Sequence, residues 1–193
     1  MNGHLEVVKY LVANGADVKD GKALGSASWY GHFEVVKYLV ENGADVNARD
    51  GDALSSALKN EHLKIAQYLV ANGADVNAET YRGETAIDLA KNDEIRIFLE
   101  KAKKLQDDFK ESVKQGNLDK VKELLANGVN VNWALSNASS DGHFEIVKYL
   151  IENGADVNWA LSNASSNGHF EMVKYLVENG ADVKKILWWR GFV

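Results

Sequence analysis

One sixteen-residue motif recurs along the chain and constrains its fold more than any other feature. The motif reads Gly-His-Leu-Glu-Val-Val-Lys-Tyr-Leu-Val-Ala-Asn-Gly-Ala-Asp-Val at residues 3–18. Near copies begin at Gly31, Gly142 and Gly168, and looser copies begin at Glu61 and Gly116. Self-similarity of this kind is the signature of a repeat protein, in which each repeat packs only on its neighbours.

Each copy of the motif predicts a helix with defined ends. In Gly142–Gly154 the apolar residues recur at the i, i+3, i+4, i+7 spacing of one helical face. The final glycine follows the last turn, where a residue with positive φ is favoured. A shorter helix of small residues is predicted before the motif, at Ala134–Asp141, so that the two helices form an antiparallel pair. Because such a pair cannot cover its own apolar faces, we expect the pairs to stack.

These residues resemble the ankyrin-repeat family. The pattern of Gly142–Asn158 is similar to the second helix and outgoing loop of an ankyrin repeat. Gly83–Ala90 is similar to the family motif Gly-x-Thr-Pro-Leu-His-x-Ala, with Ala86 in place of proline and Asp88 in place of histidine. The resemblance covers nearly the whole chain. It implies an all-α solenoid of helix-turn-helix repeats.

The repeats are shorter than those of the family. The equivalent glycines Gly116, Gly142 and Gly168 are 26 residues apart, whereas an ankyrin repeat has about 33 residues. In the family, the residues that are missing here form the β-turn finger. We therefore expect mostly truncated β-hairpin fingers, with a full finger only around Val76–Thr85 and a vestigial one near Val46–Ala53.

The middle of the chain interrupts the repeat. Glu94–Lys104 resembles a charged repeat that terminates an array, and Leu105–Asn117 resembles a polar helix that begins one. Terminal repeats are expected to be atypical in this way. The sequence therefore predicts two sub-arrays, residues 1–104 and 105–193. A long helix or a tight helical corner at about Glu100–Asp108 would join them.

Both ends of the sequence fall within a repeat. Met1 precedes a second helix without a first, and Lys185–Val193 has the register of a first helix without a second. This last segment contains the large apolar residues Leu187, Trp188, Trp189 and Phe192. Truncation of a longer array explains them, and the alternative is an aromatic tail for docking or self-association.

Composition narrows the classes of partner. The net charge is −6 and no segment is basic, which disfavours nucleic acids and anionic membrane surfaces. Cysteine is absent, so disulfides and thiolate metal sites are excluded. No apolar run reaches the roughly 18–20 residues of a membrane span, and no signal peptide is recognisable. We expect a soluble, cytoplasmic protein.

Chemistry-bearing residues recur as parts of the repeat. The five histidines, His4, His32, His62, His143 and His169, hold one equivalent position. Stacked helices lie about 8–10 Å apart, whereas zinc ligands must converge at about 2.0–2.1 Å. We therefore expect a structural role at the helix starts rather than metal binding. No enzyme motif is present, so we predict no catalytic residue, no cofactor and no enzyme activity.

Candidate binding residues are those at which the repeats differ. The resemblance implies that the end of each first helix faces a concave groove. We predict partner-binding residues at Trp29, Tyr30, Lys59, Asn60, Ser140, Asp141, Ser166 and Asn167, with Arg82 in the expected finger and Trp133 and Trp159 at the shortened loops. Aromatic residues dominate interface hot spots, although Trp29 could instead fill space beside small neighbours. Trp133 and Trp159 could likewise plug the shortened loops.

Three hypotheses for function remain open. The first is a scaffold that binds a partner protein of unknown identity, as ankyrin-like proteins do as a class. The second is the scaffold portion of a larger effector or enzyme, suggested by the two ends within repeats. The third is a purely structural or engineered stack without a partner. Fold analogy alone does not name a partner.

Overall fold

The chain is all-helical over the residues described. The computed structural model describes residues 4–19 and 21–183, with the side chains of residues 49–51 and 159 excepted. Within these ranges there are helices and no strands, which confirms the predicted all-α class. The helices are α1 Leu5–Ala13, α2 Lys22–Trp29, α3 Phe33–Glu41, α4 Ala48–Lys59, α5 Leu63–Ala71, α6 Asp93–Lys114, α7 Leu118–Ala126, α8 Val131–Asp141, α9 Phe144–Glu152, α10 Val157–Ser166 and α11 Phe170–Glu178.

The chain divides into two compact units between Gln106 and Asp107. We call residues up to Gln106 unit 1 and residues from Asp107 unit 2. The division falls within the 22-residue helix α6. Of the two junctions that the sequence leaves open, the structure therefore has the long helix rather than the tight corner.

Unit 1 is a stack of two-helix repeats. The first helix α2 packs on the second helix α3, and α4 packs on α5. First helices also contact one another, α2 with α4, and so do second helices, α1 with α3 and α3 with α5. Leu39 and Leu69 on the second helices are fully buried, and burial of one such side chain contributes about 1.5–3 kcal/mol. The core therefore runs along the stack instead of lying at one centre.

Unit 2 repeats the same arrangement. Helix α8 pairs with α9 and α10 with α11, while α8 packs on α10 and α7 on α9. Four alanines are fully buried in the two first helices: Ala134, Ala138, Ala160 and Ala164. Small side chains at these positions allow the two helices to lie side by side, as the sequence of this segment predicts.

Two first helices begin earlier than predicted. Helix α4 begins at Ala48, so the prediction of a vestigial finger near Val46–Ala53 is wrong. The adjacent Asn47 instead reaches the next loop, where its side chain donates to the Gly73 carbonyl at 2.9 Å and accepts from the Asp75 N–H at 2.8 Å. Helix α8 begins at Val131 because the Asn130 side chain accepts from two backbone N–H groups of its first turn.

The finger expected around Val76–Thr85 is a hydrogen-bonded turn without strands. The Thr80 N–H donates to the Glu84 carbonyl at 2.9 Å, and the Gly83 N–H donates to the Thr80 carbonyl at 2.8 Å. After the turn, the Asp88 carboxylate accepts from the backbone N–H and the hydroxyl of Thr85. These bonds hold the pKa of Asp88 below its usual value. They also cap the helical turn that follows, in the position where the family has histidine.

Candidate partner-binding face

Histidines connect neighbouring repeats at the ends of the first helices. The Nε2 atom of His62 lies 3.2 Å from the Trp29 carbonyl oxygen, and that of His169 lies 3.0 Å from the Ser140 carbonyl oxygen. A carbonyl oxygen only accepts hydrogen bonds, so each Nε2 carries the proton. The predicted structural role is thus confirmed for these two histidines. Each one fixes the first-helix end of the preceding repeat.

His169 lies close to the backbone of Gly142, so substitution of this glycine tests the contact between the two repeats. Gly142 has φ 78°, and a Cβ added there would lie 2.8 Å from Cε1 of His169. Gly154 has φ 90°, and no described atom would lie within 4 Å of its Cβ. We expect Gly154→Ala to lower the free energy of unfolding by about 1–2 kcal/mol through its left-handed backbone alone. Gly142→Ala should lower it by about 2–3 kcal/mol, because the His169 hydrogen bond is displaced as well. Urea denaturation measures both values.

The same substitutions in a His169→Ala background provide the control. Without the imidazole, Gly142→Ala and Gly154→Ala should cost equal amounts. Equal losses in the wild-type background would contradict the inter-repeat contact.

Asparagine side chains connect the shortened loops of successive repeats. Asn132 Oδ1 accepts from the Asp156 N–H at 2.7 Å, and Asn158 Oδ1 accepts from the Asp182 N–H at 2.9 Å. With Asn47, these side chains bridge from one inter-repeat loop to the Gly-Ala-Asp loop of the next repeat. A side chain therefore supplies a contact between loops that have no paired strands. This role was not recognised from the sequence, although the recurring Val-Asn after Gly-Ala-Asp is its signal.

Trp29 and Tyr30 lie at the end of α2 and remain open to solvent. Trp29 is 46% exposed and Tyr30 is 52% exposed. The Tyr30 ring stacks near His32, with ring centroids 6.2 Å apart. The backbone beneath is held because the Tyr30 N–H donates to the Ser26 carbonyl at 3.1 Å. About half of each aromatic residue is thus available for contact, on a backbone that is already ordered.

Lys59 and Asn60 end the neighbouring first helix α4, and both are held by other residues. The Lys59 ammonium lies 3.4 Å from a carboxylate oxygen of Glu84, and the Asn60 amide donates to the Ser56 carbonyl at 3.0 Å. Lys91 of the next repeat donates to the Lys59 carbonyl at 2.6 Å. These contacts position polar groups from successive repeats and partly neutralise their charge.

Arg82 lies in the turn Thr80–Glu84, beside an aromatic residue that the sequence analysis did not select. Its guanidinium is 5.3 Å from the centroid of the Tyr81 ring. Tyr81 is 86% exposed. The sequence could have identified Tyr81 as a candidate, because it is an aromatic residue within the one full finger that the repeat spacing predicts.

The candidates in unit 2 are small and polar. Asp141 and Ser166 are exposed. Ser140 and Asn167 bond to their own helix through the Ser136 and Asn163 carbonyls. None of these four is aromatic, so this part of the predicted set offers hydrogen bonds without a large apolar anchor.

The tryptophans at the shortened loops differ in what the structure describes. Trp133 is buried, 7% exposed, and its ring packs on Phe109 with centroids 5.4 Å apart. Burial of Trp133 agrees with the alternative that it plugs the shortened loop, and not with a partner-binding role. The side chain of Trp159 lies outside the described residues, as do the tail residues Leu187, Trp188, Trp189 and Phe192.

Comparison with known proteins identifies the family. The family described as "Ankyrin repeats (3 copies)" matches residues 1–50 and 109–186, and "Ankyrin repeat" matches residues 53–81. The chain belongs to the ankyrin-repeat family. Among solved structures, the human ASB11 ankyrin repeat domain is 26% identical to this chain, covering 83% of this chain and 85% of its own, with a TM-score of 0.38. No curated protein matches the chain.

Ankyrin repeats are generally protein-interaction modules and are typically non-catalytic. In the ranges described, no three or more His, Asp and Glu side chains are grouped so that they could hold a metal ion. None of the helices described is long and apolar enough to cross a membrane. The first-helix ends of unit 1 carry exposed aromatic rings, a hydrogen-bonded amide and a paired charge.

Proposed function

We propose that this ankyrin-repeat chain is a scaffold that binds a partner protein through its concave first-helix face. We define the Trp29 face as Trp29, Tyr30, Lys59 and Asn60. The observation that carries the proposal is the exposure of two adjacent aromatic residues at the end of α2. Large aromatic side chains provide most of the energy of typical protein interfaces.

Preorganisation supports the same proposal. The Trp29 carbonyl is bonded to His62 of the next repeat, and the Tyr30 ring stacks near His32. Because these groups are ordered before binding, little conformational entropy is lost when a partner arrives. Lys59 ends the neighbouring first helix and is paired with Glu84, so its contribution would be to specificity and orientation more than to affinity.

We propose in addition that residues 1–104 and 105–193 act as two sub-arrays with different tasks. The first carries the Trp29 face and, in its finger, Arg82 with Tyr81. The second presents the polar residues Ser140, Asp141, Ser166 and Asn167, which would offer hydrogen bonds to a partner of its own.

Photocrosslinking tests the Trp29 face. A photoreactive amino acid at Tyr30 should capture a protein from the source cell, and the same amino acid at Ile97, an exposed position on α6, should not. The captured protein is then purified and titrated against the full chain. Trp29→Ala should weaken saturable binding by about 30-fold or more, as expected of a hot-spot residue with at least about 2 kcal/mol.

The matched control is Ile97→Ala, which removes an exposed apolar side chain elsewhere on unit 1. It should leave the affinity unchanged. If Trp29→Ala and Tyr30→Ala both leave every interaction unchanged, the Trp29 face is not the binding surface, and a stack without a partner becomes the better account.

A further inference from the structure

Glu61 has a backbone conformation that the chain otherwise gives to glycine. Its φ is 60°, and within the ranges that the structure describes it is the one residue other than glycine with positive φ. Glycines hold the equivalent position before four other second helices, with φ between 64° and 78°: Gly31, Gly116, Gly142 and Gly168. A side chain in this conformation crowds its own backbone, which shifts folding toward the unfolded chain by a factor of about 5–30.

The ion pair of Glu61 within the chain is too weak to offset this strain. The Glu61 carboxylate lies 3.5 Å from the Lys91 ammonium, and the two side chains are 57% and 51% exposed. The same ammonium is closer to the Lys59 carbonyl oxygen, at 2.6 Å. An exposed ion pair of this kind favours the folded chain by at most about fivefold. Because strained residues cluster at functional sites, the conformation of Glu61 points to a use of its carboxylate outside the fold.

Glu61 lies next to the aromatic pair of the Trp29 face. The Nε2–H of the adjacent His62 donates to the Trp29 carbonyl at 3.2 Å, and Cε1 of His62 lies 2.6 Å from the position of a Cβ added to Gly31. The Glu61 N–H donates to the Leu58 carbonyl at 3.1 Å, so its backbone is fixed. An exposed carboxylate is thus held one residue along the chain from a direct contact with Trp29.

We propose that the partner segment at the Trp29 face presents an arginine, whose guanidinium stacks on the Trp29 indole and pairs with the Glu61 carboxylate. This inference rests on the proposed partner-binding function and names the chemistry that the face recognises. A planar guanidinium is attracted to the face of an aromatic ring and matches a carboxylate with two parallel N–H groups. A lysine ammonium lacks this fork. The net charge of −6 also favours approach of a basic segment.

Selection from a random peptide library displayed on phage tests the proposal with the full chain. Peptides that bind the wild-type chain but not Trp29→Ala are kept, which confines the selection to the Trp29 face. Most of the kept peptides should contain arginine. A library that yields no peptide dependent on Trp29, or kept peptides without arginine, would overturn the proposal.

A double-mutant cycle with a kept peptide measures the pair itself. Glu61→Gln removes the charge with little change in shape, and citrulline in place of the arginine of the peptide does the same on the other side. By isothermal titration calorimetry, each change should weaken binding at least about fivefold, and both together no more than either alone, because they remove the same pair. Losses that multiply would contradict the pair. Glu100→Gln, which alters an exposed carboxylate on α6, is the matched control and should leave the affinity unchanged.

Urea denaturation separates recognition from a structural role of Glu61. Glu61→Gly should raise the urea midpoint, because the left-handed conformation suits glycine, and should weaken peptide binding as Glu61→Gln does. A lowered midpoint would overturn the proposal. It would mean that the carboxylate serves the fold, for example at the N-terminus of α5, whose first turn has no acidic residue.

Failure of the arginine proposal is distinguishable from failure of the Trp29 face. Capture of a protein at Tyr30, together with Trp29-dependent peptides that lack arginine, would leave the face as the binding surface and overturn the arginine alone. No capture at Tyr30 and no Trp29-dependent peptide would overturn both.

Discussion

Phe109→Ala should lower the free energy of unfolding of unit 2 by about 3–5 kcal/mol, the range for removing a fully buried phenylalanine. Phe109 is completely buried on α6, and its ring packs on that of Trp133. The substitution leaves a cavity beside the Trp133 ring and removes the ring contact that holds Trp133 in place. Urea denaturation followed by circular dichroism measures the loss.

Phe170→Ala is the matched control, because the same atoms are removed from a residue that is largely exposed on α11. It should cost less than about 1 kcal/mol. A loss at Phe109 no larger than the loss at Phe170 would contradict the packing described for the first repeat of unit 2.

Gln106→Leu should lower the free energy of unfolding of unit 1 by about 2–4 kcal/mol. Gln106 is buried on α6, where its amide donates to the Ala74 carbonyl at 2.9 Å and accepts from the Val76 N–H at 3.0 Å. Leucine has a similar volume but leaves both backbone groups without a partner. Each buried unsatisfied group costs about 1–3 kcal/mol. Hydrogen exchange at Val76 should accelerate together with the loss of stability.

The control lies one residue beyond the end of α6. Gln115 is exposed, and its amide donates to the Glu111 carboxylate, so Gln115→Leu should change stability by less than about 0.5 kcal/mol. Unchanged stability for Gln106→Leu would mean that the loop Ala74–Val76 does not depend on α6.

Local periodicity was sufficient to predict the second helices. The apolar spacing within Gly142–Gly154 predicted α9, and Gly142 after α8 and Gly154 after α9 have the positive φ values favoured where a helix ends. The small residues of Ala134–Asp141 similarly predicted most of α8. Each of these features lies within a few residues of chain, where helix geometry relates sequence to structure directly.

Contacts between repeats were not accessible in the same way. Asn47 reaches Gly73 and Asp75 across 26 and 28 residues, and the bond of His62 to Trp29 crosses 33 residues. Such contacts fix backbone atoms of one repeat against the next, and their partners lie too far along the chain for the spacing within one helix to predict them. The vestigial finger near Val46–Ala53 was predicted wrongly for this reason.

The sequence predicted where the candidate residues lie in each repeat better than it predicted whether their side chains are exposed or buried. Differences between repeats predicted Trp29 and Tyr30, which are exposed, whereas Trp133, predicted from its place at a shortened loop, is buried. Whether a tryptophan faces solvent or fills a gap depends on what lies opposite, here Phe109 of α6. Tyr81, the neighbour of the predicted Arg82 in the finger, was missed although it is 86% exposed.

The most direct test of the scaffold account is hydrogen exchange of the full chain with and without the protein that crosslinks at Tyr30. We expect binding to slow exchange at residues 28–32 and 58–62, the ends of α2 and α4, and to leave exchange in the second helices α3 and α5 unchanged. Slowing confined to α3 and α5, with no change at the first-helix ends, would contradict it.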